Sequence, residues 1–427
     1  MVLTSGLVVL FVMLALGIPV AISLAVSGAV GLYLIGGSHV VIGIIGSTAE
    51  SAMHSYEFAM IPLFILMANF ILVSGVGDDM FDIAKKWMGR TPGGLAHATA
   101  ATGAAFGAIS GSSTAAAATL ASTSIPGMIR QGYDVKLASG VAAISGTLAM
   151  LIPPSAAMVI YALLAEMSIA KLLIAGLVPG LLITLTIILT VLLLVWLRPD
   201  HAPAAQSYSL REKIRSLRTA WSFMLLFSLV TLTIYLGIGT PTEASALGAL
   251  GAFVLAVIRR PNLRVFAEAT VRAVSASCMI AFIVFGALIF GYFLTLTQVA
   301  QNLITFLAES QVDRTVILIC ILGMYLVLGC FVDLITMLIL TVPIVSPLIV
   351  HLGYDPIWFA VLTIIMGEVG MVTPPMGLNC FVISKYTNIP VGQVFRGSYP
   401  HVLAHLVLVA ILAAFPQIIL WLPGTMN

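Results

Sequence analysis

Apolar runs long enough to cross a bilayer follow one another along most of this 427-residue chain. A spanning helix needs about 20 apolar residues, and LLIAGLVPGLLITLTIILTVLLLVWL, which ends at Leu197, exceeds that length without one charge. Such runs exclude a membrane β-barrel, whose strands alternate polar and apolar residues over about ten positions. Charge excludes a soluble domain as well. Only 8% of the residues are charged, where water-facing domains carry about 25%. Lys plus Arg (18) nearly balance Asp plus Glu (16) with no long basic run, so no nucleic acid is expected as a partner. The expected fold class is an all-α integral membrane protein, a polytopic helical bundle in contact with lipid.

Measured on that ruler, crossings fall near 3–17, 18–36, 57–75, 135–165 and 168–197, then near 219–238, 241–258, 272–296, 356–384 and 397–424. The start, MVLTSGLVVLFVMLALG, has no basic residue before its apolar stretch and reads as a first membrane helix rather than a cleaved signal. The four cysteines sit in apolar segments without CxxC spacing, and His401 and His405 have no acidic or cysteine neighbour, so neither a disulfide framework nor a transition-metal site is indicated.

The polar stretch 198–218 divides the chain almost into halves, and the halves repeat. Gly132-Tyr133-Asp134 recurs as Gly353-Tyr354-Asp355, an offset of 353 − 132 = 221. The same offset carries Pro126 to Pro347, Gly146 to Gly367, Pro153-Pro154 to Pro374-Pro375, Gly176 to Gly397 and Pro179 to Pro400. Helix-breaking residues recur because both copies break in the same places. Repeat 1 therefore takes 1–197, with scaffold helices in 1–75, an interfacial arm at 76–90, a hairpin at 91–131, a broken helix at 135–165 and a helix at 168–197. Repeat 2 takes 219–427, with scaffold helices in 219–296, an arm at 298–312, a hairpin at 314–351, a broken helix at 356–384 and a helix at 397–424.

Each hairpin segment is too long for one helix and too broken for two crossings. It is expected to be re-entrant, turning at Ser110 to Ser113 in the first copy and near Gly329 to Asp333 in the second. Irregular backbone at membrane depth survives only beside protein or a watery cavity, so both tips should line a site. If neither hairpin crosses, each copy crosses an odd number of times and the second lies inverted. Basic residues agree, because short cytoplasmic loops are enriched in them. Lys85, Lys86, Arg90, Arg130 and Lys136 flank the first hairpin, which should open to the cytoplasm, whereas Arg314 and His351 alone flank the second. The linker and the group Arg259, Arg260, Arg264 and Arg272 also fall on the cytoplasmic side, and both termini come out periplasmic.

Inverted repeats with broken helices point to a secondary transporter whose solute and ions bind where the copies meet. Consecutive prolines lack N–H groups and leave the carbonyls four residues earlier without helical donors. Those carbonyls belong to Ala149 and Met150 in the first copy, and to Gly370 and Met371 in the second. With the hairpin oxygens they form two cages suited to a small hard cation such as Na⁺. The first would use Ser110, Ser112 and Ser113 with Gly146, Ala149 and Met150. The second would use Gly329, Val332 and Asp333 with Gly367, Gly370, Met371 and Thr373. Asp333 and Glu368 are the acids placed well inside the membrane, with no basic residue in either segment. An intramembrane carboxylate is functional by default; each of these two either binds a cation or is a protonated core residue.

Helix starts after each Pro-Pro pair and each hairpin tip offer free N–H groups and a positive dipole end, suited to a carboxylate. Ser113, Thr114, Ser155, Thr336, Met376 and Asn379 are the candidate solute contacts there. For Ser155 and Asn379, capping of a half-helix stands beside that role, and for the Ser110–Ser124 stretch so does plain small-residue packing.

Four segments, GAISGSSTAAAATLAS, SGTLAMLIPPS (Ser145 to Ser155), LGCFVDLITMLILTVPI (from Leu328) and MGEVGMVTPPMGLNCFVI (from Met366), resemble the large membrane subunit of tripartite ATP-independent periplasmic (TRAP) transporters, of the ion transporter superfamily. The likeness spans essentially the full length. It implies an elevator motion, Na⁺ coupling, a bacterial inner-membrane location, a four-helix small membrane subunit (Q) on a separate polypeptide, and a periplasmic substrate-binding protein (P) that delivers an organic acid such as a dicarboxylate or sialic acid. The alternative is a stand-alone Na⁺- or H⁺-coupled dicarboxylate or oxyanion symporter of the same superfamily. An enzyme is not expected, since no HExxH or GxSxG occurs and no histidine lies at either break.

Overall fold

The computed structural model describes residues 2–54, 56–203, 208–259, 262–310 and 312–426; the side chains of 51–53, 109 and 308 are left undescribed. The first half of the chain runs α1 (Val2–Ala15), α2 (Val20–His54), α3 (Met60–Ser74), α4 (Val76–Met88), α5 (Gly94–Ser110), α6 (Ser113–Thr123), α7 (Ile125–Arg130), α8 (Val135–Gly146), α9 (Ala156–Leu164), α10 (Ile169–Ala175) and α11 (Leu177–Leu197). The second runs α12 (Leu210–Tyr235), α13 (Pro241–Arg259), α14 (Leu263–Leu296), α15 (Val299–Glu309), α16 (Arg314–Gly329), α17 (Leu334–His351), α18 (Pro356–Gly370), α19 (Leu378–Thr387), α20 (Val391–Ala414) and α21 (Gln417–Leu420). No strand occurs among the described residues. The protein is an all-α, multi-pass membrane bundle, with eight helical segments among the described residues long and apolar enough to cross a bilayer.

Several boundaries differ from the sequence-based ones. The crossing expected at 18–36 continues as α2 to His54, kinked where Gly36 and Gly37 leave helical geometry and Gly37 takes a φ of 71°. In the second half the corresponding break is real, between α13 and α14, and α14 then runs 34 residues without interruption. The first copy puts its break later, in the short 3-10 turn Tyr56–Ala59 before α3. The stretch 198–218 is not all linker, because Ser209 and Glu212 form a capping box that starts α12 at Leu210. Residues 204–207 of that stretch, Arg260 of the basic group and Gln311 of the second arm lie outside the described residues. Helix α20 begins at Val391 rather than near 397. Helix α17 has 18 residues, enough by length to cross, although it was expected as one arm of a hairpin.

The helices expected as scaffold are interlaced: α2 packs along α14, α3 packs along α13, and α3 and α14 meet between them. Outside this layer α1 rests on α2 and α12 on α13. Arm α4 packs on α12, and an ion pair from Arg259 to Asp79 ties it to the end of α13, with the same guanidinium 3.0 Å from Ser222 Oγ.

The two halves also exchange partners deeper in the bundle. Helix α6 packs on α19 and α17 on α9, while each first hairpin arm packs on the broken helix of its own half, α5 on α8 and α16 on α18. Glycines permit the closest of these approaches. A Cβ built on Gly370 would stand 2.6 Å from the Leu326 carbonyl oxygen and 2.7 Å from Gly329 Cα. One on Gly107 would stand 2.9 Å from the Leu148 carbonyl, so α5 touches the first break as α16 touches α18. Asp134 and Asp355, offset by 221, cap α8 and α18 by accepting backbone N–H bonds, which is why both copies of Gly-Tyr-Asp precede a helix.

Candidate functional site

Both hairpin tips are built by the same local chemistry. In the first, α5 ends at Ser110, Gly111 turns the chain at a φ of +56°, and Ser112 caps α6 by accepting from the Ala115 N–H. In the second, Asp333 caps α17: one carboxylate oxygen accepts from the Thr336 N–H at 3.1 Å and the other from Thr336 Oγ1 at 2.6 Å. Ser112 and Asp333 are counterparts at offset 221, so one capping position carries a hydroxyl in one copy and an anion in the other.

Both breaks lie where expected, at Pro153-Pro154 and Pro374-Pro375, and both of these peptide bonds are cis. Three of the carbonyls that the prolines deprive of donors, those of Met150, Gly370 and Met371, find other ones. Ser155 Oγ donates to the Met150 carbonyl while also capping α9 by accepting from Met158 N–H. In the second copy, Thr373 N–H donates to Gly370 O at 2.9 Å, and Asn379 N–H to Met371 O at 3.1 Å. Nearby donors fill the gaps because an unpaired buried carbonyl is costly. Each carbonyl keeps a second lone pair, so the oxygens still suit a cation. Gly367 O accepts from Met371 N–H, the Val332 N–H donates to Leu328 O, and Thr373 Oγ1 donates to Val369 O. Gly329 lies against Gly367 and Gly370, which brings all the residues expected in the second cage onto adjoining elements. In the first, Gly146 lies against Ala117 of α6, and Gly111 of the tip lies against Pro154 and Ala156.

Ser113 is not at that tip's open face. It is fully buried, donates its hydroxyl to Glu368 Oε2 at 2.8 Å and accepts from Asn379 Nδ2 at 2.7 Å. Ser113, expected as both an ion ligand and a solute contact, and Asn379, an expected solute contact, form with Glu368 one polar triad between α6, α18 and α19. Glu368 Oε1 and Asn379 Oδ1 have no partner among the described residues. Among the other expected solute contacts, Thr114 Oγ1 lies 3.3 Å from Ser112 Oγ, Ser155 is a buried cap, and the Met376 N–H donates to the Cys330 carbonyl, joining the second break to the second tip. The histidine pair is buried on α20, where His405 Nδ1 lies 2.7 Å from the His401 carbonyl.

A cavity of about 620 Å³ lies between the hairpin tips and the scaffold. Ser110, Gly111, Ser112 and Met150 line it from the first half, and Asp333 and Thr336 from the second. Its opposite wall is scaffold, including Phe64 and Asn69 of α3 and Arg272 and Met279 of α14. Thr336 is thus the expected solute contact that reaches the cavity. Sequence reasoning missed Asn69 and Arg272. Arg272 was grouped with loop basics, but it lies 272 − 263 = 9 residues inside α14, about 14 Å along the axis.

Comparison with known families matches residues 7–418 to "Tripartite ATP-independent periplasmic transporter, DctM component". The chain belongs to this family. Among curated DctM-type relatives, it is similar to the C4-dicarboxylate TRAP transporter large permease protein DctM of Pseudomonas aeruginosa, 36% identical over 88% of each chain. It is also similar to the sialic acid TRAP transporter large permease protein SiaM of Vibrio cholerae, 30% identical over 86% of each chain. Among solved structures, the Alcanivorax borkumensis YdaH transporter superposes with a TM-score of 0.64 over 88% of each chain at 15% identity, a likeness of fold. A transporter subunit rather than an enzyme is what these relatives support.

Proposed function

We propose that this chain is the large permease of a Na⁺-coupled secondary transporter that imports an organic acid across the bacterial inner membrane. The acid sits in the cavity between tips and scaffold, and one Na⁺ binds at each tip. Ser110 and Ser112 with the Gly146–Met150 backbone hold one ion. Asp333, the Gly329–Val332 turn and the backbone of Gly367, Gly370, Met371 and Thr373 hold the other. Both sets are hard oxygen donors, the chemistry that alkali cations require. The two hairpins are re-entrant and the repeats inverted, which puts both termini in the periplasm. The hairpins and broken helices move as an elevator against the α1–α3 and α12–α14 scaffold, with α4 and α15 as connecting arms.

The observation that carries this reading is that tip residues from both halves, Ser112 and Asp333, line one cavity against the scaffold. The family name describes a tripartite system, and the relatives are named for C4-dicarboxylate and sialic acid. A small membrane subunit, a soluble periplasmic binding protein and a carboxylate solute follow as partners.

Proteoliposomes holding the chain with its small subunit and binding protein test it. Asp333→Ala should abolish Na⁺-driven uptake while the protein stays folded. Uptake with unchanged Na⁺ dependence removes Asp333 from the ion site, and uptake by this chain alone favours a stand-alone symporter.

A further inference from the structure

We propose that Arg272 is the residue that recognises the anionic group of the solute, gripping it from the scaffold side of the cavity. The inference rests on reading the cavity as the solute site and adds to it the group that selects charge. Arg272, Ala276, Met279, Ile280 and Ile283 all line the cavity. Their spacing of i, i+4, i+7, i+8 and i+11 defines one face of a helix. Arg272 therefore belongs to the stripe of α14 that borders the cavity, where Arg272 and Met279 are exposed, Ala276 and Ile283 half-buried and Ile280 buried, and the rest of that stripe is apolar.

Its charge has no partner among the described residues. Among the described residues Arg272 makes no hydrogen bond, and the ion pairs there engage Lys86, Arg259 and Arg264 instead. The other charged group in the described lining is Asp333, on the opposing hairpin, with both of its oxygens already accepting from Thr336. A cavity with a guanidinium on one wall and a carboxylate on the other orients what enters it. The planar fork of arginine matches a carboxylate or sulfonate with two parallel bonds. The fitting solute carries its anionic group at one end and a hydrogen-bond donor or a coordinated cation at the other. Because Arg272 stands on α14 and Asp333 on the α16–α17 unit, an elevator movement separates the two groups. The Arg272 contact then belongs to one conformation of the cycle, and its loss accompanies translocation.

The test uses the chain with its small subunit in lipid nanodiscs containing Na⁺, titrated with succinate, pyruvate, isethionate and N-acetylneuraminate while the melting temperature is read. An acid that stabilises the wild type should lose about 10-fold or more in apparent affinity in Arg272→Gln, and Arg272→Lys, which keeps the charge but not the fork, should recover part of it. The amide of that acid should be insensitive to both substitutions, which separates recognition of the anion from a structural role. Unchanged affinity in Arg272→Gln overturns the inference and leaves the cavity reading intact; this is also the result if Arg272 serves a lipid phosphate. Absence of stabilisation of the wild type by all four acids removes the cavity as an acid site, and the role of Arg272 with it.

Discussion

Replacing Ser113 with alanine tests whether the two halves are joined by the Asn379–Ser113–Glu368 triad. The hydroxyl makes two bonds, at 2.8 Å to Glu368 and 2.7 Å from Asn379. Ser113 and Asn379 are wholly buried and Glu368 is 4% exposed, so bulk water does not replace what is lost. Alanine leaves an acceptor and a donor stranded, at about 1–3 kcal/mol for each orphaned group. The expected cost is about 2–6 kcal/mol, above the usual effect of one substitution, about 1 kcal/mol. Stability would be read from reversible unfolding in bicelles, with Glu368→Met completing a double-mutant cycle. The double variant should be less destabilised than the sum of the singles by about 0.5–3 kcal/mol, because the second change removes a group already stranded. A Ser113→Ala protein within about 0.5 kcal/mol of the wild type, the range of an uninvolved surface position, refutes the triad as a structural joint.

Two further outcomes are expected from geometry. Gly370→Ala drives a methyl into the backbone of α16 at Leu326 and Gly329, and should destabilise by about 1–3 kcal/mol; Gly323→Ala, on the same α16 but with nothing within 4 Å, should be neutral or stabilising in the same unfolding measurement. Cysteines introduced at Gln131 and Gly353 should react with impermeant thiol reagents from opposite sides of the membrane, and labelling from one side would sink the inverted arrangement.

Much of the framework was legible because its signals are local. Gly-Tyr-Asp announced the starts of α8 and α18 through a turn glycine and an N-capping aspartate, and Pro-Pro announced the two breaks. Ser112 and Asp333 were readable as tip residues from a turn followed by a helix start. Ser113 was misplaced for a physical reason. Successive helical residues point about 100° apart, so which serine faces a cavity and which faces a neighbour depends on α18 and α19, and the Glu368 partner is 255 positions away. The freed carbonyls were also misjudged, since proline removes a donor but does not say whether Ser155 or Asn379 will supply another. Arg272 was hidden by its type: a basic residue near a helix start reads as a loop marker unless the helix is known to begin at Leu263. The position of the first copy's break was likewise out of reach, because Gly36-Gly37 bends α2 without ending it, whereas α13 ends within a residue of the expected 258.

The interlacing of α2 with α14 and α3 with α13 has a consequence for how such a chain arises and assembles. Neither half owns a finished interface: the third helix of each half covers the second helix of the other. One copy made alone would present those long apolar faces to lipid and to its own siblings, and would find its complement only in a second copy. The molecule is in this sense a dimer written on one strand.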